Sequence, residues 1–326
     1  MPAFCRAAAF GCIALLLCKA AASAVAQPSP ISADKPAAYS TPLELIHDKP
    51  YVSLLVNGRG PYRFLVDTGT GGEALVTPEL AEELSLPVVG HARLADPSGL
   101  GEQRSDIARI GSLKIAGAEF SDVDAVVHNL YGDANCQGVL GFTLFEDYLL
   151  TLDFPGHRMT LTPGAIDRNG GGSVLPFEMP DGVPIVQIKI DGQQFGAQLD
   201  SGGTGLSVPE KDTKELKFEE TPMEFAKGES VSTRFQIRAA RLESDIKLGR
   251  YTFTQAFVEI DSAFPLVNIG STPLQHFVIT FDQANELVRL YSSEDTLRLD
   301  ASPPPAQLTN EPQRQPSDTK LVPVGM

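Results

Sequence analysis

Phe64-Leu65-Val66-Asp67-Thr68-Gly69 and Ala197-Gln198-Leu199-Asp200-Ser201-Gly202 decide how the rest of the chain reads. Each is an extended run leading into Asp-(Thr/Ser)-Gly, and the two aspartates lie 133 residues apart. A Gly-rich turn, a short apolar strand and a proline suited to the first turn of a helix follow in both copies: Ala74-Leu75-Val76-Thr77-Pro78-Glu79 and Gly205-Leu206-Ser207-Val208-Pro209-Glu210. A lone Asp-Thr-Gly is weak evidence, most often a turn. Here a second pair of segments repeats at nearly the same interval. The thirteen residues Gly141-Phe142-Thr143-Leu144-Phe145-Glu146-Asp147-Tyr148-Leu149-Leu150-Thr151-Leu152-Asp153 align without a gap on those from Gly270 to Asp282, at a spacing of 129 and with four identities. Internal repetition has to be read before any fold is named. It divides the chain into two copies of one β unit, residues 41–165 and 174–293.

Outside these motifs the chain consists of short β-branched and apolar runs, at 51–56, 62–66, 107–115, 123–127, 183–190, 234–238 and 277–281, punctuated by Gly, Pro, Asn and Asp. That pattern predicts a mostly all-β protein with few, short helices. Residues 166–173, with Gly170-Gly171-Gly172, lack the Gly-Lys-Ser/Thr ending of a phosphate loop and read as a flexible joint between the units. From 294 to 326 the composition turns to Pro, Gln, Ser and Asp, the pattern of a disordered tail. The two aspartates that close the second repeat, Asp153 and Asp282, read as hairpin-turn residues.

Residues 1–26 read as a signal peptide, because Arg6 precedes an uncharged run, 7–18, and a small-residue stretch, 20–26, with cleavage placed after Ala26. The run is well short of the ~20 residues that span a bilayer, so no stable membrane span is expected. A polar lead-in, 27–40, follows, and the protein is expected to be exported, to a periplasm or out of the cell. The chain carries 26 basic and 41 acidic side chains, a formal charge of −15, which becomes −17 when Arg6 and Lys19 leave with the leader. Such a surface repels phosphate backbones, so nucleic acid is not an expected partner. Of the four cysteines only Cys136 lies beyond the leader, so no internal disulfide can form. The five histidines form no close pair and no His-Glu-x-x-His, and no Gly-x-Ser-x-Gly elbow occurs, so neither a metal, nor another cofactor, nor a serine nucleophile is indicated.

The chemistry follows from the duplication. If the units pack about a pseudo-twofold axis, Asp67 and Asp200 meet there, Thr68 and Ser201 can hydrogen-bond into the opposite unit, and Gly69 and Gly202 let the carboxyls approach. Two carboxyls about 3 Å apart cannot both ionise cheaply, so they share a proton and form an acid and a base at once. Such a pair can hydrolyse an amide with an activated water and no cofactor.

The ordered set Asp67-Thr68-Gly69-Thr70, Val139-Leu140-Gly141, Asp200-Ser201-Gly202 and Asn268-Ile269-Gly270 resembles the aspartic proteases of the pepsin and retropepsin type. The resemblance implies a bilobal fold of two pseudo-twofold-related, β-barrel-like lobes, an active cleft between them, and an extended peptide or protein substrate. Within it Asp67 and Asp200 would be catalytic, with Thr68, Gly69, Thr70, Ser201 and Gly202 in support. A monomer is expected, since fused units need no dimerisation to assemble the pair. Asn268 departs from the apolar position of its motif. Gly203 stands where Thr70 stands in the first copy, and Thr204 is the candidate substitute. Two Gly-tipped flaps without tyrosine are expected, one around 94–104 with Ser98 and Gly99 at its tip, the other around 225–231 with Gly228 at its tip. The same residues leave open a non-catalytic peptide- or glycan-binding module on this scaffold.

Overall fold

The computed structural model describes residues 38–94, 103–130, 135–229, 234–262 and 264–299. The leader at 1–26, all but the last residues of the lead-in, and 300–326 of the tail lie outside the described residues.

Alternation builds the strands. In Arg59–Asp67 the side chains of Phe64 and Val66 are buried while Leu65 and Asp67 face the other side, so one strand both fills a core and presents a carboxyl. The hairpin that leads into it turns at Asn57-Gly58, and its counterpart before Gln193–Leu199 turns at Asp191-Gly192, all four residues at positive φ. Those are the dipeptides that a two-residue hairpin turn matched to the strand twist requires. Pro78–Glu83 forms a helix at the first helical position of which Pro78 sits, capped by Thr77, whose Oγ1 accepts from the Leu80 N–H at 3.2 Å. The equivalent stretch, Glu210–Glu215, follows Pro209, which offers no side-chain acceptor, and forms a 3-10 helix.

The strands form three sheets among the described residues. An eight-stranded sheet is built from strands between Glu44 and Gly141 and a ten-stranded sheet from strands between Ile185 and Arg298. Four strands at the centre of each correspond: Arg59–Asp67, Gly138–Gly141, Ala74–Val76 and Ala118–Val127 in one lobe, Gln193–Leu199, Val267–Ile269, Leu206–Pro209 and Phe257–Asp261 in the other. The six-stranded third sheet takes three strands from each side and joins the lobes. At its centre Leu149–Asp153 pairs antiparallel with Val278–Asp282, with Thr151 opposite Thr280 and their hydroxyls 3.0 Å apart. The repeated threonine thus meets its own copy on the pseudo-twofold axis. Behind it Phe142 of one lobe packs edge-on against Phe281 and Phe177 of the other, at 5.1 and 6.0 Å between ring centroids, and one continuous apolar core spans both lobes.

Three expected boundaries shift. The ordered lead-in strand begins at Tyr39, pairing Tyr39–Pro42 with Arg158–Thr162. Of the expected joint, Ile166 is buried with its N–H on Asp282 Oδ2 at 2.9 Å, and Ser173 already pairs with Leu290, which leaves a short turn between. The expected tail contributes a strand, Thr296–Arg298, parallel to Tyr251–Thr254, with Leu297 buried. A window dominated by polar residues hides a two-residue alternation, Leu297 and Leu299, that is enough to dock an edge strand. Asp153 and Asp282 do close hairpins: Asp153 Oδ1 accepts from Gly156 N–H at 2.8 Å and Asp282 Oδ1 from Asn285 N–H at 3.1 Å.

Candidate active site

Asp67 ends the strand Arg59–Asp67 and lies beside Gly141 of the parallel strand Gly138–Gly141. Asp200 follows Gln193–Leu199, and its N–H bonds to Ile269 O at 2.9 Å, in the strand Val267–Ile269 that runs parallel on the same side. Both aspartates sit at the carboxyl end of an interior strand held by a short parallel neighbour, which fixes the backbone on which the side chain stands.

Four hydrogen bonds then tie the two loops together. Thr68 Oγ1 donates to Leu199 O at 2.6 Å and accepts from Ser201 N–H at 3.0 Å; Ser201 Oγ donates to Val66 O at 2.7 Å and accepts from Thr68 N–H at 3.0 Å. Both hydroxyls are fully buried, and each is satisfied by backbone groups of the opposite lobe. The Asp67 and Asp200 carboxyls face each other across the axis. Gly69 backs onto the Asp200 carboxyl and Gly202 onto that of Asp67 so closely that a Cβ at either would overlap it. Glycine is therefore required at both for the pair to close.

The two carboxyls are held differently. Asp67 accepts Gly69 N–H on Oδ1 and the Thr70 hydroxyl on Oδ2, both at 2.8 Å. Asp200 accepts Gly202 and Gly203 N–H on Oδ1, at 2.9 and 2.7 Å, and the Asn268 amide on Oδ2 at 2.8 Å. Burial first, and then the negative charge of Asp200, push the Asp67 carboxyl up from its ordinary 3.8 to about 7, against the pull of the Thr70 and Gly69 bonds. Below about pH 7, therefore, Asp67 holds its proton.

Residues 52–144 match the family model for aspartyl proteases. The matched stretch includes Asp67-Thr68-Gly69-Thr70 and Val139-Leu140-Gly141 and ends before the second lobe begins. No curated protein matches the chain.

The geometry gathers Asp67, Thr68, Gly69, Thr70, Asp200, Ser201 and Gly202 within one cluster. Thr204 does not join it: the residue is exposed, and its carbonyl serves Thr272 N–H at 2.9 Å. Nor does Gly228 tip a hairpin. It pairs with Phe235 within the ladder of Met223–Glu229 and Arg234–Arg241, and residues 230–233, which join the two strands, lie outside the described residues. Strand pairing continues past the glycine because nothing in its backbone obliges a turn there. In the other lobe Leu94 pairs with Gln103, and Ser98 and Gly99 lie outside the described residues.

Two contributors were not foreseen from the sequence. Gln198 Nε2 donates to Gly69 O at 3.2 Å across the lobes, and Asn268 holds Asp200. The available signal was a polar residue inside an apolar strand motif, since a buried amide must find a partner. Cys136 is buried, and its thiol donates to Gly138 O at 3.1 Å. Among the described residues no three His, Cys, Asp or Glu side chains could hold a metal ion, and no helix is long and apolar enough to cross a membrane.

Proposed function

We propose that the chain is an exported aspartic endopeptidase in which Asp67 and Asp200 activate a water for attack on a peptide carbonyl. The observation that carries this reading is the exchange of hydrogen bonds between Thr68 and Ser201, which holds the Asp67 and Asp200 carboxyls face to face with Asp67 pushed up to about 7. With Asp67 protonated and Asp200 ionised, Asp200 takes a proton from the water as the remaining hydroxide attacks the carbonyl carbon, and Asp67 gives its proton to the carbonyl oxygen. The tetrahedral diol collapses when the proton on Asp200 passes to the amide nitrogen. The C–N bond breaks, and one hydroxyl proton returns to Asp67, which restores the pair. Gly202 and Gly203 N–H keep Asp200 Oδ1 turned inward throughout.

The substrate is an extended peptide. Among the described residues Val88–Leu94 is the last strand of the eight-stranded sheet and Met223–Glu229 the first of the ten-stranded one, so each lobe ends in an edge strand that can pair with an extended chain. Export is supported by the leader pattern of residues 1–26.

The test is incubation with a mixed peptide library from pH 3 to 8, with and without a statine-type inhibitor, beside Asp67→Asn and Asp200→Asn. Cleavage is expected to be inhibited by the statine group and lost in both variants. Peptide binding without cleavage at any pH would instead identify a binding module. N-terminal sequencing of the protein from a non-cytoplasmic fraction is expected to begin at Gln27.

A further inference from the structure

The first lobe supports its carboxyl with a hydroxyl three residues downstream, Thr70, whereas the second has Gly203 at that position, with no side chain to offer. A Cβ built on Gly203 would stand 2.6 Å from Asp200 Oδ2 and 2.8 Å from Asn268 Nδ2. The place a threonine would take is filled by the Asn268 amide, which itself reaches Asp200 Oδ2 at 2.8 Å. Asn268 stands two residues before Gly270, where the first lobe has Val139 two residues before Gly141.

The exchange is part of a wider one. Across the first lobe's central strands Leu65 pairs with Val139, Val139 with Leu75, and Leu75 with Val126. The same register in the second lobe reads Gln198, Asn268, Ser207 and Glu259. An apolar row in one lobe is a polar row in the other, and Asn268 is the member that touches the carboxyl.

We propose that Asn268 is the positioning residue of Asp200, replacing by a side chain from the neighbouring strand the hydroxyl that Thr70 supplies to Asp67, and that position 203 is glycine because this amide occupies the space. The proposal rests on the reading of Asp67 and Asp200 as a hydrolytic pair. The replacement differs in kind from the original. A hydroxyl can donate or accept, so Thr70 serves Asp67 with or without its proton; an amide N–H only donates, so Asn268 serves Asp200 as a carboxylate. It therefore favours Asp200 as the base. Asp67 faces this carboxyl across the axis, while Glu259 lies against Gly205 on the strand beyond Ser207, beside Asp261.

A merely structural role would leave a different signature. Asn268 is buried, and its Oδ1 has no hydrogen-bond partner, while valine is what the first lobe uses at this position. Asn268→Val removes the orphaned Oδ1 but also one donor from Asp200, so the melting temperature should move little while activity changes. The substitution should lower kcat about tenfold with KM unchanged, and move the acidic limb of the pH profile upward. Gly203→Ser alone should also impair activity, because the new side chain collides with the amide. Asn268→Val/Gly203→Ser should recover kcat and the acidic limb above either single variant, a reciprocal rescue that two independent defects cannot give.

The same four proteins, labelled with 13C at aspartate carboxyls and titrated by NMR, give a readout that does not depend on cleavage. If the unsubstituted chain cuts no peptide, the proposed function fails, and the titration still judges the role of Asn268. A lowest carboxyl transition that is unmoved in Asn268→Val, or a double variant no better than the worse single one, overturns the proposal; an upward-moved transition restored in the double variant supports it.

Discussion

Asp67 shows how one side chain couples chemistry to stability. Unfolded, its carboxyl ionises near the ordinary 3.8; in the fold it is held up to about 7. Between these values the native chain keeps a proton that the unfolded chain lacks, so the contribution of this group is full below about pH 4 and lost as the pH rises through 7. Relative to Asp67→Asn, whose side chain does not titrate, the parent protein should lose several degrees of melting temperature between pH 4 and pH 8, measured by differential scanning calorimetry at both ends. Equal pH dependence in the two proteins would remove the raised carboxyl. The residues that make this environment were largely legible, because Asp, Thr or Ser, and Gly have specific duties at such a pair. Asn268 was not, since nothing in a linear motif shows which strand lies next to Asp200.

At the level of elements, periodicity of two and paired turn residues located the strands that matter, and Asn57-Gly58 and Asp191-Gly192 fix the hairpins that deliver both aspartates. Boundaries were less legible. The strand Thr296–Arg298 has a single buried side chain, Leu297, and gains its place only by pairing with Tyr251–Thr254. Leu297→Ala should cost about 2–3 kcal/mol in urea unfolding, as for other buried leucines, and leave the carboxyl pair untouched. A change below about 0.5 kcal/mol would mean that the strand is dispensable. Helix type was equally a local matter: Thr77 caps Pro78–Glu83, while Pro209 cannot cap Glu210–Glu215.

At the level of the whole molecule, the lobes meet through the Thr151–Thr280 contact, the Phe142, Phe177 and Phe281 cluster, and the exchange between Thr68 and Ser201. The last of these is the most exacting, because each hydroxyl satisfies a buried carbonyl and a buried N–H of the other lobe. Ser201→Ala strands two of those groups and should destabilise by about 2–4 kcal/mol; Thr68→Val should cost a similar amount. Because the two residues share one network, the double variant should cost less than the sum of the two, measured as a double-mutant cycle in urea. Additive losses would show that the hydroxyls act separately.

By itself the sequence determined that the chain is duplicated, that it is mostly β, and that each copy carries one carboxyl in a setting of hydroxyl and glycine, because these properties are written in local order and period. Only the tertiary structure decided that the two carboxyls face each other, that a tail strand belongs to the second lobe, and that the Asn268 amide reaches Asp200. Those depend on residues up to 133 positions apart sharing a few ångströms of space, a distance set by sheet register and lobe packing rather than by neighbours along the chain.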